Sequence, residues 1–229
     1  MKKIISLLLV LSFVLCFAAC GGNETPDENA NNNSVVDNVD DNSNDDIVTS
    51  NKEITLEDVE NAPVSPESDF HYYDVDGGIE VVYDGDDEIV VIPETIDGKK
   101  VVAVARRGFV NADAVRAVKL ANTIEVVGEN AFHVVDKLEI VVTGSNLKRV
   151  EDFAFTDCPK LKEIKFNEGL EYLGGCSIAA NPCLGELYIP ASVNEIGSFI
   201  LEDNTVIVCE AGSVVEEHCK GWAHNYRIK

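Results

Sequence analysis

Positive charge is scarce in this chain: 18 Lys+Arg stand against 41 Asp+Glu in 229 residues, a formal net charge of -23. That balance argues against nucleic acid as a partner, because phosphates need a basic surface. Long apolar runs are also missing. Past the first 19 residues nothing approaches the roughly 20 consecutive apolar residues of a membrane-spanning helix. No glycine-rich phosphate loop follows a strand-like run, which removes the simplest argument for a nucleotide site. Histidine is sparse, and His71 and His133 have no spacing that singles them out. These absences leave no expected cofactor and no expected metal.

The amino terminus is distinctive. Lys2 and Lys3 precede an apolar stretch over 4–19 that ends Phe17-Ala18-Ala19-Cys20 and is followed by Gly21-Gly22. A charged start, a short apolar middle and small residues before a cut site predict a secretory signal over 1–19. Small residues followed at once by Cys resemble a bacterial lipobox. The resemblance implies cleavage before Cys20 and diacylglyceryl attachment to its thiol. An ordinary signal peptide cleaved elsewhere is the alternative. Two acyl chains anchor stably where one is marginal, so the expected location is the outer face of a bacterial cell membrane.

Residues 21–50 hold eight Asn, eight Asp or Glu, and no Lys or Arg. So polar a run buries too little apolar surface to offset its chain entropy and is expected to be disordered. With the acidic stretch that follows, which contains Pro63 and Pro66, it reads as a tether over 20–67 with a reach on the order of 40 Å. Within it, 56–59 has the pattern of at most one helical turn. The cluster Asp40-Asp41-Asn42-Ser43-Asn44-Asp45-Asp46 resembles a calcium loop but lacks that loop's Gly and final Glu, and solvated spacer is the better reading. Asp74-Val75-Asp76-Gly77-Gly78 and Asp84-Gly85-Asp86-Asp87 lie between strand-like runs and read as turns.

The rest is organised by one period. Phe109, Phe132, Phe155, Ile178 and Leu201 recur every 23 residues, as do Val115, Leu138, Leu161 and Leu184. Val118, Val141, Ile164 and Leu187 form a third column, and Val104, Val127, Val150, Leu173 and Ile196 a fourth. Unrelated elements have no reason to keep one period, whereas a solenoid stacks equivalent residues of successive coils. Alternation in Leu161-Lys162-Glu163-Ile164-Lys165-Phe166 predicts one short strand per coil, paired in parallel with its neighbours. Gly128, Gly174 and Gly197 share a slot read as a turn with positive φ, which Glu151 fills once. The runs over 70–73, 79–83 and 89–92 predict a strand cover for the first coil, whose loop differs in length around 94–100. At the other end, 205–209 reads as a last strand. Ser213 and Glu216 then form a capping-box pattern for a helix through Val215 and Cys219 toward Trp222.

Leu161-x-x-Ile164-x-Phe166, Leu170-x-x-Leu173-Gly174, Gly128-x-x-Ala131-Phe132 and Ala154-Phe155-x-x-Cys158-x-x-Leu161 resemble the BspA-like bacterial leucine-rich repeat. The resemblance covers residues 68–229. It implies a β-dominated α/β solenoid of about five coils, with short stacked parallel strands, an N-terminal β cap and a C-terminal helical cap. It also implies an exported or surface protein associated with adhesion and protein binding.

Five cysteines remain beyond Cys16 and Cys20: Cys158, Cys176, Cys183, Cys209 and Cys219. An odd number cannot all pair internally, although a Cys209–Cys219 bridge is conceivable. Cys158 shares its slot with Ala112, Val135, Asn181 and Asn204, which favours burial as a small residue. Cys209, His218, Cys219 and His224 include zinc-ligating atom types, but adjacent His218 and Cys219 point about 100° apart on a helix.

The functional expectation is a lipid-anchored, non-catalytic module binding an extracellular protein or glycan. A spacer role is the alternative, and a hydrolase using Cys219 and His224 is the least favoured. Residues flanking the third column should face outward: Ala117 and Lys119, Ile140 and Val142, Glu163 and Lys165, Glu186 and Tyr188. They form the candidate binding face. A one-residue slip in register would bury Ile140 and Val142 instead.

Overall fold

The computed structural model describes residues 52–198 and 204–229. The signal segment, Cys20 and the acidic run at 40–46 lie outside the described residues, as does Leu201. Residues 50–229 make one compact unit.

An antiparallel hairpin covers the first coil: β1 (Phe70–Val75) pairs with β2 (Gly78–Tyr83), and Gly77 takes a φ of 86° in the turn. Next come β3 (Ile89–Val91), β4 (Thr95–Ile96) and β5 (Lys99–Val104). Asp97 and Gly98 join β4 to β5 with φ of 50° and 74°, the paired left-handed conformations of a type I′ hairpin turn. This hairpin is the extra length of the first coil. Each later coil gives one three-residue and one two-residue strand. They are β6 (Ala117–Lys119) with β7 (Val126–Val127), β8 (Ile140–Val142) with β9 (Arg149–Val150), β10 (Glu163–Lys165) with β11 (Tyr172–Leu173), and β12 (Glu186–Tyr188) with β13 (Glu195–Ile196).

The two kinds of strand build two walls. One runs β3-β6-β8-β10 and is carried on by a second sheet, β12 with β14 (Val206–Cys209) and β15 (Tyr226–Ile228). The other runs β1-β2-β5-β7-β9-β11-β13. Val118 pairs in register with Val141 and Val141 with Ile164, so the 23-residue step holds. It shortens at the end, where Leu187 pairs with Ile207.

Between the walls the columns fill the interior. Phe109, Phe132 and Phe155 are fully buried, and their rings stack at 4.4 and 5.0 Å between centroids. Tyr83 of the covering hairpin adds a further rung 5.3 Å from Phe109. The spacing follows the strand separation of about 4.8 Å, since each ring rides on its own coil. Helix α2 (Val214–Trp222) closes the far end with Val215 and Cys219 inward. Ser213 Oγ accepts from Glu216 N, while the Glu216 carboxylate takes the amide of Gly212 rather than that of the cap residue.

Two expectations are corrected. The tether does not extend to residue 67. Helix α1 (Leu56–Asn61) is closed by a capping box, in which Thr55 Oγ1 accepts from Asp58 N and the Asp58 carboxylate accepts from Thr55 N. It stops at Ala62, whose successor Pro63 disfavours helical backbone. Ser65 then clamps to β3, donating its amide to Val91 O and accepting the Val91 amide on Oγ. The acidic composition concealed Ile54 and Val59, both buried.

Second, Gly128, Gly174 and Gly197 do not have positive φ. They are small because of the coil before them: a Cβ would lie 2.8, 2.5 and 2.3 Å from backbone nitrogens of Arg106, Asp152 and Gly175 respectively. Left-handed backbone falls instead on Arg107, Asn130, Phe153 and Cys176, again one step of 23 apart.

Candidate interaction face

Side chains flanking the third column do point away from the interior. Ala117, Ile140 and Val142 form an apolar cluster separate from the main core. They are nonetheless buried, at 0%, 1% and 7% exposure, which corrects the expectation that they are open. Ile54 and Val59 complete that cluster, with Leu56 packed against it, so residues 52–61 lie across the wall as a strap. The cover comes from the chain itself.

Polar contacts fix the strap at both ends. Arg116 Nη1 donates to Lys52 O at 3.1 Å, and Lys162 Nζ lies 3.4 Å from Glu53 Oε1. At the other end Lys119 Nζ donates to Glu60 O at 2.8 Å and Lys165 Nζ to Glu60 Oε1 at 2.5 Å. Lys165 holds the Glu60 carboxyl below its usual range. Thr55 and Lys52 do the same for Asp58, lowered to about 2.

Beneath lies a ladder that sequence reasoning missed. Arg116, Glu139 and Lys162 stand one step of 23 apart, with Glu139 Oε1 2.6 Å from Arg116 Nη2 and Oε2 3.1 Å from Lys162 Nζ. Burial pushes the Glu139 carboxyl up, but hydrogen bonds and charge from Lys162 and Arg116 outweigh it and hold it low. The same step that revealed the apolar columns would have found this alternation of sign. Lys148 and Glu171 repeat it on the opposite wall at 3.0 Å.

Four predicted residues stay accessible in part or whole: Glu163, Lys165, Glu186 and Tyr188. Glu186 is held by Nε and Nη2 of Arg227, at 3.2 and 3.0 Å. Lys229 Nζ sits 4.1 Å above the Tyr188 ring, whose hydroxyl donates to Glu168 at 3.4 Å. Lys119 is half-buried under the strap.

The sulfur and imidazole groups do not assemble a nucleophile. Cys158, Cys176, Cys183, Cys209 and Cys219 are free thiols. Burial pushes Cys158 up to about 12 and Cys219 to about 11, opposite to what an attacking thiolate needs. His224 Nε2 is buried without a hydrogen-bond partner among the described residues. No group of three or more His, Cys, Asp or Glu among the described residues could hold a metal ion. None of the described helices is long and apolar enough to cross a membrane.

Stacked parallel coils with this phrase define a leucine-rich-repeat solenoid. The BspA type leucine rich repeat region matches six times across residues 91–208, and the chain belongs to that family. Among solved structures it is similar to a leucine rich repeat protein of T. pallidum, at 28% identity and a TM-score of 0.61, covering 64% of this chain and 71% of that one. A Bacteroides ovatus leucine-rich repeat protein shares the fold at 24% identity and a TM-score of 0.53, covering 62% and 41%. Comparison with curated proteins returned no match. No enzymatic family is indicated by these likenesses.

Proposed function

We propose that this protein is a lipid-anchored module on the outer face of the cell membrane that binds an extracellular partner, protein or glycan, without catalysing a reaction. One observation carries the reading: the outer wall of the solenoid already holds a peptide segment, through an apolar strip flanked by Arg116, Lys119, Lys162 and Lys165. A rigid sheet with one side chain per coil in each row suits such a task, and the solenoid fold supports binding or scaffolding without specifying the ligand. Glu163, Glu186 and Tyr188 continue the face beyond the strap, with Lys165 at its edge.

The test has two arms. Labelled lipid should enter the wild type but not Cys20→Ser, which should leave the membrane fraction or stay unprocessed. The purified protein should capture an extracellular protein or glycan, and Lys165→Glu with Tyr188→Ala should weaken capture while leaving the melting temperature within a few degrees. A spacer would capture nothing.

A further inference from the structure

We propose that the wall formed by β6, β8 and β10 is a docking site for a short acidic amphipathic helix of a partner protein, and that residues 52–61 are its resident occupant, which a partner segment must displace. The proposal rests on the binding role above and names the partner's chemistry.

The strap shows what the site accepts. Its sequence, Lys52-Glu53-Ile54-Thr55-Leu56-Glu57-Asp58-Val59-Glu60-Asn61, places three apolar residues on one side and four carboxylates around them. Ile54 and Val59 bury against Ala117, Ile140 and Val142, with Leu56 and Ile89 at the margin. Nothing here depends on the strap's own backbone being continuous with the domain.

The rim matches that acidity. In a chain of net charge -23, Arg116, Lys119, Lys162 and Lys165 ring one small apolar strip. Glu139 neutralises only part of that charge: it pairs with Arg116 and Lys162, whereas Lys165 pairs with the Glu60 carboxylate and Lys119 reaches the Glu60 main-chain oxygen, and Glu60 belongs to the strap. Three of the four cations reach strap main-chain oxygens: Arg116 to Lys52, Lys119 to Glu60, and Lys162 to Ile54 at 3.5 Å. Contacts to main chain are indifferent to the occupant's side chains. Specificity would come from the apolar spacing and from the carboxylate at the Glu60 position.

Displacement is sterically open. The strap has a single layer of contact with the wall, and its outer residues Glu53, Thr55, Glu57 and Glu60 are exposed. After it the chain passes through exposed Pro63 and Val64 before Ser65 fastens to β3. A segment tethered by so short a connection competes at an effective concentration in the mM range, so the resident holds the site until a better fit arrives.

The probe is a fluorescein-labelled peptide with the sequence of residues 52–61, titrated against the full chain and read by anisotropy. Two forms free the site: Val59→Asp, which removes the central apolar contact, and a chain carrying a protease site in place of 62–64, cut after purification. If the strap occupies nine sites in ten, the wild type should bind about tenfold more weakly than either freed form. Binding to the freed forms should fall again in Lys119→Glu with Lys165→Glu, and a scrambled peptide should not bind. Should Val59→Asp lose the cooperative melt, the cut chain gives the answer alone. Equal binding of the scrambled peptide or of polyglutamate would reduce the site to bulk electrostatics and overturn the proposal. So would a cut, folded chain that binds no peptide. Capture of a partner through Tyr188 in that same chain would leave the broader binding role intact, whereas loss of both would remove each.

Discussion

Arg116 Nη1 donates a hydrogen bond to the carbonyl oxygen of Lys52 at 3.1 Å, across 64 residues of sequence. The same guanidinium grips Glu139 on the next coil through Nε at 2.7 Å and Nη2 at 2.6 Å. One side chain thus ties the strap to the stacking of the solenoid. Its partner Glu139 is mostly shielded from solvent, which makes these ion pairs worth more than exposed ones.

Phe132→Ala should lower unfolding free energy by about 3 to 5 kcal/mol, because the ring is fully buried between Phe109 and Phe155 and its removal leaves a cavity in a continuous stack. Urea unfolding measures it. Exposed Lys137→Ala is the control, and an equal loss in the two would contradict the stacked column.

Asn181 takes the place of a small apolar residue in its column, and its amide bonds both to the preceding coil and to its own. Its Oδ1 accepts the Cys158 amide at 3.0 Å, and Nδ2 donates to Phe155 O and Ile178 O at 2.8 and 2.6 Å. Asn181→Ala should cost about 1 to 3 kcal/mol, the penalty of a buried group left unpaired. Asn204→Ala, 23 residues further along but at an exposed position, should cost far less by the same denaturation curve.

Val134 carries a β-branched side chain at φ 61° with 52% exposure. Left-handed backbone costs such a residue about 1 to 2 kcal/mol, and Asn tolerates it. Val134→Asn should therefore raise the melting temperature by a few degrees. A lower value would show that the exposed side chain makes a contact that offsets the strain.

Acid should loosen the strap late. Asp58 falls from 3.8 to about 2 on folding, chiefly through the Thr55 hydrogen bonds. A depressed folded pKa gives stabilisation that is complete above 3.8 and lost as pH falls through about 2. Exchange protection of the Val59 amide, which donates to Thr55 O at 3.2 Å, should persist from neutral pH to about 4 and fade toward 2. Loss of protection already between pH 6 and 5 would assign the strap's stability to other groups.

The sequence by itself determined the solenoid, its 23-residue register and the helix that closes it, because every coil repeats the same packing problem and repeats the solution at the same spacing. Val118, Val141 and Ile164 were identifiable as interior from their interval alone, and Ser213 with Glu216 from local capping chemistry. The charge ladder of Arg116, Glu139 and Lys162 is equally periodic, and its alternation of sign is legible at the same step of 23. Tertiary structure alone decided the fate of the outer face. Ile54 and Val59 belong to no period and sit in a run whose composition resembles a spacer, Val59 within a helix too short to hold alone and Ile54 just before its cap. Their burial depends on Ala117, Ile140 and Val142 being brought onto one wall by the stacking of two coils. That same stacking, and not local backbone preference, explains why Gly128, Gly174 and Gly197 carry no side chain: the neighbour they must clear is the coil before them.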